Sequence, residues 1–164
     1  MKAVRALLVL AVVLGLASCA RAPSGAYTGP EVTRIYVFKD SRRLYLMNGD
    51  TALRSYEFEL GFSPEGHKAQ EGDGRTPEGA YVINRLNPRS QYHLSLGISY
   101  PNRVDVAKAD AMGVEPGGDI FIHGTPARFA GQDDWTAGCI AVTNEEIEEI
   151  FAMVRVGTPI YIYP

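Results

Sequence analysis

Apolar and polar residues alternate with a period of two along much of the chain, which predicts a domain built mainly from β-strands with few helices. In residues 33–38 the order Thr-Arg-Ile-Tyr-Val-Phe sends Ile35 and Val37 to one face, and in 43–47 Leu44 and Leu46 repeat the pattern. Asn48-Gly49 then turns the chain into a third strand over 52–60, because Asn-Gly supplies the positive φ angles that a two-residue hairpin needs. Further strands are expected at 79–84, 93–97, 119–123, 138–142 and 158–163. One helix is expected. Thr143 and Glu146 have capping-box spacing, and Ile147, Ile150, Phe151 and Val154 make a single apolar stripe behind them. The stretches 61–78 and 101–118 read as long loops rich in Gly and Pro, and long ordered loops in a compact domain commonly bind something.

Composition adds the compartment. With 164 residues and 46% apolar content the chain suits one globular domain. Residues 1–18 read as an export signal: Lys2 and Arg5, an apolar run over 6–16, then small residues before Cys19. Residues 19–30, with Pro23, Ser24, Gly25, Gly29 and Pro30, read as a flexible tether, and 31–164 as the functional domain. The formal charge of −3 includes Lys2 and Arg5, so the exported domain is more acidic still. No basic patch or interleaving of aromatic and basic residues points to nucleic acid.

Candidate chemistry centres on Cys139, in Thr136-Ala137-Gly138-Cys139-Ile140, and on His123, at the end of Ile120-Phe121-Ile122-His123-Gly124. If Ile140 and Val142 face the core, Cys139 faces away from it; His123 is likewise opposed to Ile120 and Ile122. A thiol attacks as thiolate, and with an ordinary pKa of about 8.5 it needs a nearby base. His123 is the candidate. Cys139 lies four residues before the helix cap, so the helix dipole helps only weakly and the imidazole must do most of the activation. With Cys19 removed or modified, Cys139 is left without a partner in a compartment where structural cysteines normally pair.

The tetrapeptide Leu16-Ala17-Ser18-Cys19 resembles a bacterial lipobox, which implies lipidation of Cys19 and attachment to a membrane. His123-Gly124 followed by Thr136-x-Gly138-Cys139-Ile140, with Gly72-Asp73-Gly74-Arg75-Thr76-Pro77-Glu78-Gly79 upstream, resembles the L,D-transpeptidase (YkuD-type) catalytic domain family. The resemblance covers residues 67–142 and implies a YkuD-like β-sandwich with one amphipathic helix after the catalytic cysteine. It also implies a peptidoglycan enzyme that needs no cofactor or metal. Such an enzyme takes a stem tetrapeptide as acyl donor, holds it as a thioester and passes it to an amine.

Carried over by position, Cys139 is the nucleophile, His123 the general base, and the Gly124 carbonyl the acceptor that orients the imidazole. Backbone N–H groups of Gly138 and Cys139 form the oxyanion hole. Arg75, Thr136, Trp135 and His93 are candidates for substrate binding, Arg75 as a clamp on a stem carboxylate. Ala137 and Ala141 stand where many members carry histidine and asparagine or arginine, and the spacer is a little short, which bears on acceptor choice. The acceptor itself is left open among a diaminopimelate side chain, an envelope-protein lysine, a free D-amino acid and water. Water would make the enzyme a carboxypeptidase or amidase-type hydrolase on the same scaffold. The envelope location that follows is the periplasm, on the outer membrane, since Ala20 is not the acidic residue that marks inner-membrane retention. Two rivals stand outside this chemistry: a zinc hydrolase using His67, His93, His123 and Cys139, whose spacing is unlike known zinc sites, and a catalytically silent wall-binding lipoprotein.

Overall fold

The computed structural model describes residues 27–164. The export signal, Cys19 and all but the end of the tether lie outside the described residues. The rest forms one eight-stranded sheet with two helices. The strands are β1 (Arg34–Phe38), β2 (Arg43–Asn48), β3 (Thr51–Glu57), β4 (Gly79–Ser90), β5 (His93–Ile98), β6 (Phe121–His123), β7 (Ile140–Ala141) and β8 (Pro159–Tyr163). Their order across the sheet is β3-β2-β1-β8-β4-β5-β6-β7.

The hairpin of β2 and β3 closes where the Asn-Gly pair sits, with Asn48 opposite Thr51 and Gly49 at φ 55°. β1 runs antiparallel to β2 and parallel to β8. Alternation then buries Ile35, Val37, Leu44, Leu46, Ile160 and Ile162 together. At about 25 cal/mol per Å² of apolar surface, this interior is the main stabilising term.

Two differences from the sequence reading matter. β4 is longer than the expected 79–84: it runs on to Ser90, pairing with β8 over its first residues and with β5 over the rest, so one continuous sheet carries the mainly β fold. Register shifts after Ile83 and after Asn87 mark where it is irregular, as bulges do. The 101–118 stretch also holds a helix, α1 (Arg103–Met112). It buries only Asp105 and Ala109, so it shows no apolar stripe to read. Its ends are nonetheless well specified: Asn102 and Asp105 form a capping box, and Gly113 closes it in the left-handed region at φ 69°. The expected helix is α2 (Asn144–Met153), with the Thr143–Glu146 capping box in place and Ile147, Ile150 and Met153 buried. It packs on β5 and β6 and so backs the strand that ends in His123.

Candidate active site

β6 and β7 pair in parallel, Ile122 beside Ile140 and His123 beside Ala141. Both isoleucines are fully buried on the core face. His123 and Cys139, two residues before Ala141, therefore lie toward the opposite side. Both line a cavity of about 570 Å³, together with Tyr92, Ser95, Asp119 and Phe121.

His123 is only 2% exposed. Its Nδ1 lies 2.8 Å from the Gly124 carbonyl oxygen. A carbonyl only accepts, so Nδ1 must carry the proton, which leaves the lone pair of the neutral ring on Nε2. Tyr92 stacks on the ring at 4.5 Å and 23°, and Trp135 lies at 5.5 Å, itself stacked on Phe129 at 4.1 Å. Gly124 is needed here: a Cβ would meet Asn144 Oδ1 at 2.4 Å and the Tyr92 carbonyl at 3.0 Å. Burial holds the imidazole pKa below its ordinary value, opposed by the bond to Gly124.

Cys139 is half-buried and is the one free cysteine among the described residues. Its thiol donates to the Asp119 carbonyl at 3.5 Å. Burial pushes its pKa up to about 11, partly offset by a backbone hydrogen bond with Phe121. Both groups are thus neutral at rest in one cavity, and proton transfer belongs to the attack itself.

The turn before the cysteine is fixed from two sides. Thr136 Oγ1 donates to the Cys139 carbonyl at 2.8 Å and accepts from the Gly138 N–H at 3.1 Å. From the upstream block, Thr76 Oγ1 donates to the Gly138 carbonyl at 2.8 Å. Backbone approaches are closest at the glycines: a Cβ on Gly138, at φ 125°, would sit 2.5 Å from the Arg75 carbonyl, and one on Gly61 only 2.0 Å from that of Gly74. Asp73 ties the block together, accepting from the N–H groups of Ala69 at 2.8 Å, Gln70 at 3.1 Å and Arg75 at 3.0 Å, and from Lys68 Nζ at 2.8 Å. Burial works against its charge, yet these donors bring its pKa down to about 2. The two sequence blocks are one piece of structure.

Residues 32–162 match the family model of the YkuD L,D-transpeptidase catalytic domain. The chain belongs to this family. Among its relatives, YafK of Escherichia coli (strain K12), provisionally named as an L,D-transpeptidase, is 36% identical over 126 residues, 73% of this chain and 46% of YafK. The structure is similar to the helical cell shape determining protein Pgp2 from Campylobacter jejuni, at TM-score 0.63 and 26% identity, covering 83% of this chain and 49% of that one. An L,D-transpeptidase from Mycobacterium smegmatis shares the fold at TM-score 0.55 and 14% identity, over 81% of this chain and 59% of that one. The chain thus spans about half the length of YafK and of Pgp2.

Within the L,D-transpeptidase domain, the other candidate residues fall in different places. The Thr136 hydroxyl, expected at the substrate, is 4% exposed and committed to the turn. The Gly138 N–H, expected in an oxyanion hole, already donates to that hydroxyl. Arg75 does not line the cavity; its guanidinium lies against Gly66. His93 turns to α2, with Nε2 2.7 Å from Glu148 Oε1. Trp135 sits behind His123 and lines a second cavity beside the start of α2. Asp134, in the loop before the cysteine, binds Arg42 in bidentate fashion, while Nδ1 of the imidazole is held by Gly124. His67 accepts from the Glu78 N–H at 3.0 Å, and among the described residues no three His, Cys, Asp or Glu side chains gather as a metal site.

Sequence reasoning missed Tyr92, Asp119 and Arg89, which line the cavity. Tyr92 sits at the tip of the β4–β5 hairpin, and the polar run Ser90-Gln91-Tyr92 between two strand patterns was the available signal.

Proposed function

We propose that this domain is a cysteine-dependent L,D-transpeptidase acting on peptidoglycan stem tetrapeptides. The observation that carries the reading is the His123 ring, fixed by Gly124 so that the Nε2 lone pair is its free nitrogen, in the same cavity as Cys139. The thiol turns from the Asp119 carbonyl to Nε2 and gives up its proton as sulfur attacks the carbonyl carbon at the L-centre of the third residue. The C–N bond to the terminal D-alanine then breaks, and the imidazolium returns the proton to the leaving amine. A thioester remains. An acceptor amine attacks it, His123 takes the amine's proton, the new amide forms and the thiol is restored.

The family membership supports this chemistry, and the cell-shape role in the name of Pgp2 fits an enzyme of the wall. The same proposal has Cys19 lipidated and residues 19–30 tethering the domain in the periplasm, on the outer membrane. Incubation with purified tetrapeptide muropeptides, with and without an amine acceptor, tests it. Cross-linked dimers support transfer; stems released to water in both arms assign the hydrolase instead; absence of any product contradicts the reading.

A further inference from the structure

Arg85 lies outside the cavity that holds Cys139 but lines a neighbouring one of about 310 Å³ that shares Asp119 and Phe121 with it, and the chemistry above does not use this guanidinium. Arg85, on β4, places its guanidinium 4.6 Å above the ring of Phe121 and its NH2 3.1 Å from Asp119 Oδ1. Three backbone features bring it there. The register of β4 shifts between Ile83 and Arg85, the kind of bulge that re-aims a side chain. Opposite Arg85 stands Gly97, where a Cβ would meet Asn84 Oδ1 at 2.5 Å and Arg85 Cγ at 2.8 Å, so the glycine leaves room for both side chains. Asp119 holds φ 54°, a left-handed conformation that costs a non-glycine residue energy.

The Asp119 pairing does not account for this construction. The two side chains are 56% and 88% exposed, and an ion pair that open is worth little. Such a partner is readily exchanged for another carboxylate. Asp119 also fixes where an exchanged anion would lie, because its carbonyl takes the Cys139 thiol while its carboxylate meets Arg85. Asp119 thus touches both the sulfur, through its carbonyl, and the guanidinium, through its carboxylate. In a donor peptide whose scissile carbonyl sits at the sulfur, the leaving residue's own carboxylate is one residue away.

We infer that Arg85 binds the terminal carboxylate of the acyl donor, taking it in place of Asp119, so that the site accepts a peptide ending one residue after the scissile bond. The inference rests on the proposed acyl-donor chemistry and assigns to Arg85 the role that the sequence reading gave to Arg75. A longer stem or a C-terminal amide lacks the anion at this position and leaves the guanidinium with Asp119.

Binding in the Cys139→Ala background tests this without turnover, using calorimetry with the stem tetrapeptide as free acid and as C-terminal amide. The free acid is expected to bind about tenfold or more tightly than the amide, as a charge-assisted pair allows. Arg85→Ala is expected to remove that preference by weakening the acid alone, and Asp119→Asn, which removes the competitor, to strengthen it. Arg85→Lys should keep part of it. An unchanged preference in Arg85→Ala overturns the assignment, as does loss of the preference in Arg89→Ala instead. Thioester formation by the wild-type chain, followed by mass spectrometry with the same acid, tests the underlying reading separately: binding preference without acylation would sink that reading and leave the carboxylate site standing.

Discussion

At the scale of single residues, the decisive feature is that the thiol and imidazole are both neutral at rest. Burial lowers the His123 pKa and raises that of Cys139 to about 11, so the imidazole remains an unprotonated base at pH values below its ordinary 6.5. The acid limb of the acylation rate is therefore expected below pH 6.5, a position that a pH profile of thioester formation reads directly. Folding stability follows the same sign: the unfolded chain takes up a proton near pH 6.5 while the folded one resists it, so stability falls as pH drops through that value. His123→Ala should slow acylation by about 10²–10⁴-fold in single-turnover kinetics, the usual contribution of a positioned base. Much of this residue chemistry was legible from the parity of two short strands. The contact of the thiol with the Asp119 carbonyl was not, because it joins residues 20 apart through a backbone atom that no pattern of residue types encodes.

At the scale of elements, the Gly72-to-Gly79 block and the turn before Cys139 act as one unit, joined by Thr76 and by glycine-only backbone approaches. Thr76 is fully buried, so Thr76→Val leaves the Gly138 carbonyl short of a donor and should cost about 1–3 kcal/mol in denaturant unfolding. On the proposed chemistry acylation should fall with it, since the turn before Cys139 loosens. Asp73 gives a second handle. Its carboxylate stabilises the fold above the unfolded value of about 4, and that contribution is lost as pH falls toward 2, an effect that acid titration of Asp73→Asn should no longer show. The blocks were visible in the sequence as motifs; their contact was not, because it joins segments about 60 residues apart through backbone atoms. Helix α1 escaped notice for the opposite reason. Its specification lies in its caps and not in a stripe, and Asn102→Ala should cost about 1 kcal/mol by thermal unfolding.

At the scale of the whole molecule, the order of strands explains why the site sits where it does. β4 joins the hairpin half of the sheet to the half that carries β5, β6 and β7, so its irregular run positions both the Tyr92 hairpin tip and Arg85 near the strands that flank His123 and Cys139. The count and alternation of strands predicted a mainly β domain, which the match over residues 32–162 places in the L,D-transpeptidase family. That one sheet continues through β4 is a matter of non-local pairing, which alternation cannot specify. The claim on which the account turns is that Cys139 is acylated by a stem peptide. Intact-mass spectrometry after incubation with the tetrapeptide tests it most directly. The wild-type chain should gain the mass of the tetrapeptide less that of the released D-alanine, and Cys139→Ala should gain nothing while keeping its fold; an adduct that persists in Cys139→Ala, or none in the wild type, would contradict it.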